Sequence, residues 1–557
     1  MRKNLILTLS ACSLVLMTSC SKLGKLSADN FSVTPNPLET VGGKVPATVE
    51  GQFPEKFMNK KATVTVVPEL RYGNGQVVKG QAVTFQGEKV MANHKVISYR
   101  LGGRYTMKTV FDYVPAMQKS DMYLAFDARI GNSKVNVPAI KVATGVIATA
   151  ELYRKAMQQG GACLALDSFQ RVIDHKQEAN VKFLINQANL RSNELKNNSV
   201  REFVSMLKRI NADREKLAIK NVEVQAYASP EGGFTFNDKL ANKRQNVSEG
   251  YVKQQLKGTN LQTDIDAHYT AQDWEGFMKL VQASKIQDKD VILRVLSMYK
   301  DPQEREQQIR NMSEGFRELA DGILPELRRS RLIINYQTIG RSDQQIQQQY
   351  AADPTKLSLE ELLYAASLTN DVKAKKAIYK KTTELYDRDY RAYNNLAALA
   401  LNEGDEHTAN SYLSQALQAN RKAPEAYANK AYINLTHGEI AEAEHNLADA
   451  TEANGFNEVI GNLHIARGNY ANATDELFND NNSGALAQLL NKNYVAAEQT
   501  LKAIKQPNGL TYYLFAVLNA RQGKNDTAAK YLKEALQKDP SLAEYAKNDL
   551  ELAKVNK

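Results

Sequence analysis

Between residues 393 and 450 the chain repeats itself at a fixed interval. Tyr393, Ala397, Gly404, Ala409, Leu413 and Ala416 are followed by Tyr427, Ala431, Gly438, Ala443, Leu447 and Ala450, every pair 34 residues apart. Small residues at fixed places in a helical apolar pattern let two helices cross closely. A repeat of this length buries its apolar face only against its neighbours, so the sequence commits this region to a helical stack. Gly523, Ala528, Leu532, Ala535 and Pro540 carry the same signature further on. Gly468, Ala473 and Leu477 fall four residues short of register, which predicts trimmed middle repeats. A generic helical bundle is the competing reading.

The period, with its aromatic and small positions, resembles the tetratricopeptide repeat. That resemblance implies an all-α solenoid over 355–557 whose extended concave surface suits a peptide or helix from a protein partner.

Upstream the pattern changes twice. Over 31–148, segments such as ATVTVV (62–67), KVISYRL (95–101), TVFDYV (109–114) and MYLAFDARI (122–130) are rich in β-branched and aromatic residues. Turn signals separate them, among them Gly73-Asn74-Gly75 and Gly131-Asn132-Ser133, and the spacing predicts an immunoglobulin-like β-sandwich. Over 150–338 strands and helices alternate, which predicts an α/β sandwich. FLINQANL (183–190) reads as a strand end and turn. Ser199-Val200-Arg201-Glu202 reads as a capping box before Phe203, Met206, Leu207 and Ile210 at helical spacing. Val222, Val224 and Ala226 alternate in a strand; a helix from Asn237 to about Leu256, a strand near 262–268 and the closing RLIINY (331–336) follow. A helical insertion is expected at about 270–325, around the single Trp274, and a Gln-rich linker at 339–354.

The strand of Val222 runs into Ser229-Pro230-Glu231-Gly232-Gly233, a loop at or just before a helix N-terminus, where free N–H groups attract a carboxylate. Asn237 and Arg244 are seven residues apart and share one meridian of that helix. They are expected at the edge of an apolar stripe formed by Leu240, Val247 and Tyr251. Arg244 is suited to a bidentate pair with an acid group. With FLINQANL, Asn237-x-x-Leu240, Lys243-Arg244-x-x-Val247 and Arg328-Arg329…Arg331-Leu-Ile, these residues resemble the OmpA-like C-terminal domain. The resemblance implies non-covalent binding of peptidoglycan through the diaminopimelate of its stem peptide. Arg244 falls at that family's helix Arg and Asn237 at its helix-start Asn. Ser229 falls where the family has the loop Asp for the ligand's ammonium, and Glu231 is the nearby residue able to supply the missing charge. The implied peptidoglycan-binding set is therefore Ser229, Glu231, Asn237 and Arg244.

The N-terminus, Met1-Arg2-Lys3 followed by an apolar run to Met17 and then Thr18-Ser19-Cys20, resembles a bacterial lipoprotein signal (1–19). Lipidation of Cys20 is implied, with 20–30 as a linker; an ordinary secreted protein is the alternative. Lysines rather than acids follow Cys20, which by the same resemblance implies an outer-membrane protein facing the periplasm. Of the three cysteines, only Cys163, in the apolar run ACLAL, is left as an ordinary thiol, and it reads as a buried small hydrophobe. The net charge of +10 is mild for 557 residues and dispersed, and export argues against nucleic acid as a partner. Scattered histidines, no H-E-x-x-H, no G-x-S-x-G and no P-loop predict neither enzyme nor cofactor. The expected function is a non-catalytic outer-membrane lipoprotein that docks on peptidoglycan and scaffolds envelope proteins through its repeats. Its rival is an interaction subunit of a secretion or surface-appendage complex that no longer binds the wall. Cys20→Ala is expected to shift the protein from the detergent phase to the soluble periplasmic fraction, because only a multiply acylated cysteine holds a membrane firmly; retention in the membrane fraction refutes the anchor.

Overall fold

The computed structural model describes residues 23–286, 289–311 and 319–555. The signal segment and Cys20 lie outside them. The chain divides into two compact units, one comprising residues up to Asp167 together with Thr369 onward, the other Ser168–Leu368. The expected succession of three domains is thus corrected in one respect. The β-rich region and the repeats belong to a single unit, and the α/β domain is inserted in sequence between them.

The β-rich region has ten strands: β1 (Phe31–Thr34), β2 (Lys44–Phe53), β3 (Ala62–Tyr72), β4 (Gln76–Lys79), β5 (Val83–Gly87), β6 (Lys95–Ile97), β7 (Gly103–Asp112), β8 (Ser120–Ile130), β9 (Ser133–Val135) and β10 (Ile140–Gly145). One sheet runs β1-β2-β7, the other β10-β8-β3-β5-β6, with β4 on β3 and β9 on β8. Alternate residues of both sheets, such as Val45, Val49 and Phe111 from one and Val64, Val66 and Leu124 from the other, meet in one core. The strand expected over 95–101 keeps only Lys95–Ile97. There the chain turns back, Gly102 donating its N–H to the Ser98 carbonyl at 2.9 Å, with Gly102 in left-handed conformation.

Helix pairs then stack: Tyr390–Asn402 with Glu406–Ala419, Pro424–His437 with Ile440–Ala448, Phe456–Ala466 with Tyr470–Glu476, Asn482–Leu490 with Tyr494–Ala503, and Gly509–Arg521 with Asn525–Lys538. The region is a tetratricopeptide-like solenoid. Gly404, Gly438, Gly468 and Gly523 take φ of +78°, +79°, +78° and +76° at the turn inside four of the five pairs, a conformation only glycine adopts without strain. The remaining pair turns at Lys492, φ +62°, and for that reason its repeat carries no glycine signature in the sequence. Third and fourth pairs are shorter than the first two, as the lost register required.

Residues 149–167 belong with the repeats, not with the α/β domain as the sequence boundary at 150 had it. Helix α1 (Tyr153–Gly160) places Leu152, Tyr153, Ala156 and Met157 in the same core as Ala397, Ala431, Leu463 and Leu486 of the first helices of four pairs. Cys163 joins that core at 5% exposure.

The second unit is built on β11 (Val172–Lys182), β12 (Leu217–Tyr227), β13 (Asp264–Thr270) and β14 (Arg329–Ile339), in the order β11-β14-β12-β13. Only the β12–β13 pair is parallel. Helices α2 (Asn198–Ala212) and α3 (Phe234–Gly258) cover one face, Phe203, Leu207, Ile210, Val252 and Leu256 packing on Val222, Val224, Leu332 and Ile334. The cap of α2 is Asn197, which accepts the Val200 N–H at 2.8 Å, rather than the Ser199 read from the sequence. An insertion carrying α4 (Trp274–Ala283), α5 (Lys289–Met298), α6 (Pro302–Asn311) and a turn of helix at Leu324–Leu327 holds its own small core around Phe277, Val281, Ile292 and Leu296. Residues expected as a linker form a helix, Asp343–Ala352: Ser342 and Gln345 make the reciprocal capping box, and Ile346 is the buried anchor.

In the repeats Ala409 is fully buried at a helix crossing. Ala409→Leu is expected to destabilise the solenoid by about 1–3 kcal/mol through overpacking, read as an earlier loss of helical circular dichroism on heating; parental melting refutes the packing described.

Candidate functional site

Three of the four residues expected to bind peptidoglycan, Ser229, Glu231 and Asn237, meet at the loop between β12 and α3; the fourth, Arg244, lies two turns further along α3 against the turn after β11. Helix α3 begins at Phe234, three residues earlier than expected, with Gly233 as its cap, so Asn237 lies within the first turn. Asn237 is 2% exposed, and its side-chain amide donates to the carbonyls of Ser229 (3.1 Å), Glu231 (2.9 Å) and Gly232 (3.2 Å). One amide thereby ties down the whole loop. The Ser229 hydroxyl, also buried, donates to Glu231 Oε1 at 2.9 Å. That same oxygen takes Arg328 Nε at 2.8 Å and Nη2 at 2.6 Å.

Arg244 is 1% exposed and sits among the buried residues of α3, with Leu240, Ala241, Ser248 and Val252, not at the edge of an apolar stripe. Val247, expected in that stripe, is 38% exposed. The physical reason lies in the turn after β11. Arg244 Nε donates to the Gln187 carbonyl (3.0 Å), Nη2 to that of Leu184 (3.2 Å) and Nη1 to that of Tyr227 (2.8 Å), while its guanidinium lies 5.0 Å from the Phe183 ring. Burial, then the charge of Arg328, lower its pKa to about 10, with Glu231 opposing. The side chain is a peg for irregular backbone, and its three N–H bonds face carbonyls of its own chain.

The insertion closes the loop from the other side. Glu306 of α6 accepts the Gly232 N–H at 2.7 Å, the kind of donor that the sequence reading offered to a ligand carboxylate. Gln272 donates to the Gly232 carbonyl at 3.1 Å. Pro230, Glu231, Trp274, Phe277, Glu306 and Leu324 line a small cavity here. Sequence reasoning counted Arg328 only within the motif of the resemblance, gave it no place at the site, and did not single out Glu306; the acid in the loop was the signal that could have prompted a search for a guanidinium partner.

A second constellation lies within the other unit, on the first helices of the repeats. After α1 the chain runs extended from Gly161 to Asp167 across the first helices of the first two pairs. Asn395 accepts the Ala165 N–H at 2.7 Å and donates to the Ala165 carbonyl at 3.0 Å. Asn429 does the same for Cys163, at 2.7 and 2.8 Å, and Asn394 adds a second donor to the Cys163 carbonyl at 3.0 Å. Asn402 takes the Ala162 N–H, Asn454 donates to the Leu164 carbonyl and Arg391 to that of Asp167. Asn394, Asn395 and Asn429 are at most 2% exposed. The first helices of the repeats thus hold residues 161–167 of the chain itself. Asn395 and Asn429 stand 34 residues apart, so the repeat register alone marked them as equivalent.

No family model matches the chain, and no curated relative does. Among solved structures, PilF of Pseudomonas aeruginosa is 17% identical, with a TM-score of 0.27 over 37% of this chain and 98% of its own. A tetratricopeptide repeat protein of Parabacteroides merdae is 13% identical, with a TM-score of 0.28 over 44% of this chain and 98% of that one. Yeast Tom70 is 12% identical, with a TM-score of 0.23 over 64% and 82%. Likeness at these scores carries no argument about activity or partners. The helical-repeat assignment stands on the glycine turns and the buried alanines.

Arg244→Ala leaves three buried carbonyls short of a charged donor and is expected to destabilise the α/β unit by about 2–4 kcal/mol. Arg244→Lys, lacking the fork, recovers only part of it. Denaturation followed by fluorescence of Trp274, the single tryptophan, reads this unit alone; an unchanged midpoint for Arg244→Ala refutes the peg role.

Proposed function

We propose that this protein is a non-catalytic, lipid-anchored scaffold at the periplasmic face of the outer membrane, an interaction subunit of an envelope complex. The observation that carries this reading is the self-satisfied loop. Glu231 is paired with Arg328, Arg244 is committed to three carbonyls, and Glu306 holds the Gly232 N–H. A stem peptide would have to displace each of these contacts and move α6 before reaching the loop. The helical solenoid supports a role in holding proteins, and the mildly basic, dispersed charge makes no demand for nucleic acid. Among the described residues no group of three or more histidines, cysteines or acids stands together as a metal site, and no helix is long and apolar enough to cross a membrane. Attachment in this reading comes from lipid on Cys20.

Peptidoglycan docking is the second reading. It is favoured by Gly232, at φ +91°, and by open space around Gly233, which together leave the loop backbone approachable once the insertion moves. Co-sedimentation of the mature chain with isolated diaminopimelate-containing wall separates the two. The scaffold reading expects no more protein in the pellet than in a wall-free control. Sedimentation that free diaminopimelate abolishes would replace it with wall docking through the OmpA-like site.

A further inference from the structure

The end of the β-sandwich where β2 and β5 finish and β3 starts combines exposed cations with exposed apolar side chains. Two segments meet there, 54–61 between β2 and β3, and 88–102 around β6. Lys56 donates its N–H to the Tyr99 carbonyl and Lys89 donates to that of Lys60, both at 2.7 Å, so the two segments form one surface. Lys56, Lys60, Lys61, Lys89, Lys95 and Arg100 are exposed on it, against two acids, Glu55 and Glu88. Glu88 accepts the Ser98 hydroxyl at 3.0 Å. Met91 is 100% exposed beside these cations, Leu101 71% and Val96 54%. Apolar side chains set among cations suit a bilayer interface, where apolar tips enter the acyl boundary and cations meet lipid phosphate.

The path of the chain selects the occupant. Gly24 donates its N–H to the Phe57 carbonyl at 3.2 Å, and Leu23 and Leu26 pack on the sandwich core, so the described chain begins at this same end. Cys20 lies outside the described residues but only three positions before Leu23, a reach of at most about 11 Å. The repeats meet the other end of the sandwich. A Cβ on Gly42, just before β2, would stand 3.0 Å from the Arg467 carbonyl oxygen, and the ten residues of β2, about 30 Å of strand, lead from there to Phe53. We propose that this basic, apolar-tipped end docks on an anionic bilayer surface, with Met91 and Leu101 entering the interface, so that the sandwich stands as a post holding the repeats away from the membrane. The proposal deepens the anchored-scaffold reading and rests on it for the membrane: lipid on Cys20 holds the chain at the bilayer, and this surface sets which end of the sandwich faces it.

The test uses the full mature chain with Cys20→Ala, which removes any lipid, and vesicles of equal parts phosphatidylethanolamine and phosphatidylglycerol. This chain is expected to float with the vesicles at low salt and to be released in about 1 M NaCl, where charges are screened within about 3 Å. Each surface cation contributes about five-fold to partitioning near an anionic leaflet. Lys60→Gln, Lys89→Gln and Arg100→Gln together are therefore expected to weaken binding roughly 100-fold, and Met91→Ser with Leu101→Ser at least about ten-fold with every cation kept. No flotation, equal flotation with phosphatidylcholine vesicles, or unchanged flotation of both variants overturns the proposal. Retention on heparin without flotation also overturns it and marks a surface for an acidic partner instead. A dye on Met91→Cys is expected to shift to the blue on adding vesicles, and a dye on Val77→Cys, paired with Arg71 at the far end of β3, to stay unshifted; Cys163 is buried from labelling. Equal or reversed shifts overturn the proposal. A high-salt wash of cell membranes separates its failure from that of the anchor, since it strips a docked Cys20→Ala chain but not a lipidated one. A native chain that resists the wash while Cys20→Ala never floats keeps the anchor and loses the docking surface; a native chain that washes off while Cys20→Ala floats does the reverse.

Discussion

The first unit depends on a pairing between side-chain amides and main-chain amides. A chain that crosses a helical surface in extended form brings N–H and C=O groups into a buried place with no strand beside them, and such groups are costly if left unpaired. An asparagine carries one donor group and one acceptor on a single rigid plane, so it completes both bonds of a residue as a neighbouring strand would. Asn395 and Asn429 do this at positions two residues apart along the segment, matching the alternation of an extended chain. Further bonds among Asn394, Asn395 and Asn429, at 2.9 and 3.2 Å, fix the orientation of the amides. This ladder holds residues 161–167 on the repeats although 201 residues, 168–368, separate that segment from the repeats in sequence.

Charge reinforces the same union at its other end. Arg521, on the first helix of the last pair, reaches Glu551 and, at 3.4 Å, Glu39 just after β1, and Thr149 donates to Glu551 at 3.0 Å. Burial opposes the charge on Arg521, but the two carboxylates outweigh it and its pKa is raised. Glu39 experiences the opposite balance. Desolvation raises its pKa, and Arg521 only partly restores it. Nearby, Tyr513 donates to Asp549 at 2.5 Å, and burial lifts that acid to about 6. A carboxyl with a raised pKa favours the folded state below its unfolded value and gives that stability up as pH rises through about 6. Within this junction the ion pairs therefore set geometry, while the large apolar core of α1 and the repeats supplies the stabilisation.

The solenoid was legible because its signal is geometric: Gly404, Gly438, Gly468 and Gly523 sit where a helix pair must turn, and no other residue takes that conformation without strain. Lys492 escaped because a lysine forced into the same turn looks like any other lysine. The strands of the β-rich region and of the α/β unit were legible from alternation, and the helix at Asp343–Ala352 was missed because a run of glutamines conceals a helix with one buried anchor, Ile346. At the candidate site Ser229, Glu231 and Asn237 meet as the sequence spacing suggested, whereas Arg244 faces the turn after β11. A carbonyl carries no trace in the side-chain sequence. An arginine aimed at Leu184, Gln187 and Tyr227 carbonyls is written with the same letter as one aimed at a ligand.

Ser229 shows how closely the loop's chemistry is matched to this closed state. Its hydroxyl donates to Glu231 Oε1, the oxygen that also receives both bonds from Arg328. An aspartate in place of Ser229 would set two carboxylates about 3 Å apart in a buried site, and repulsion at that distance drives one of them to take up a proton. Arg244 has its N–H groups already committed to three carbonyls, and burial and the charge of Arg328 disfavour its own charge. A serine satisfies the geometry because it donates, adding a hydrogen bond to the acid without adding a second charge. The acid thus keeps its guanidinium, the guanidinium keeps the end of the insertion beside the loop, and α6 is held where Glu306 meets Gly232. The serine at position 229 and the closure of the loop are one arrangement, because the hydroxyl adds a donor to the oxygen of Glu231 that Arg328 already holds.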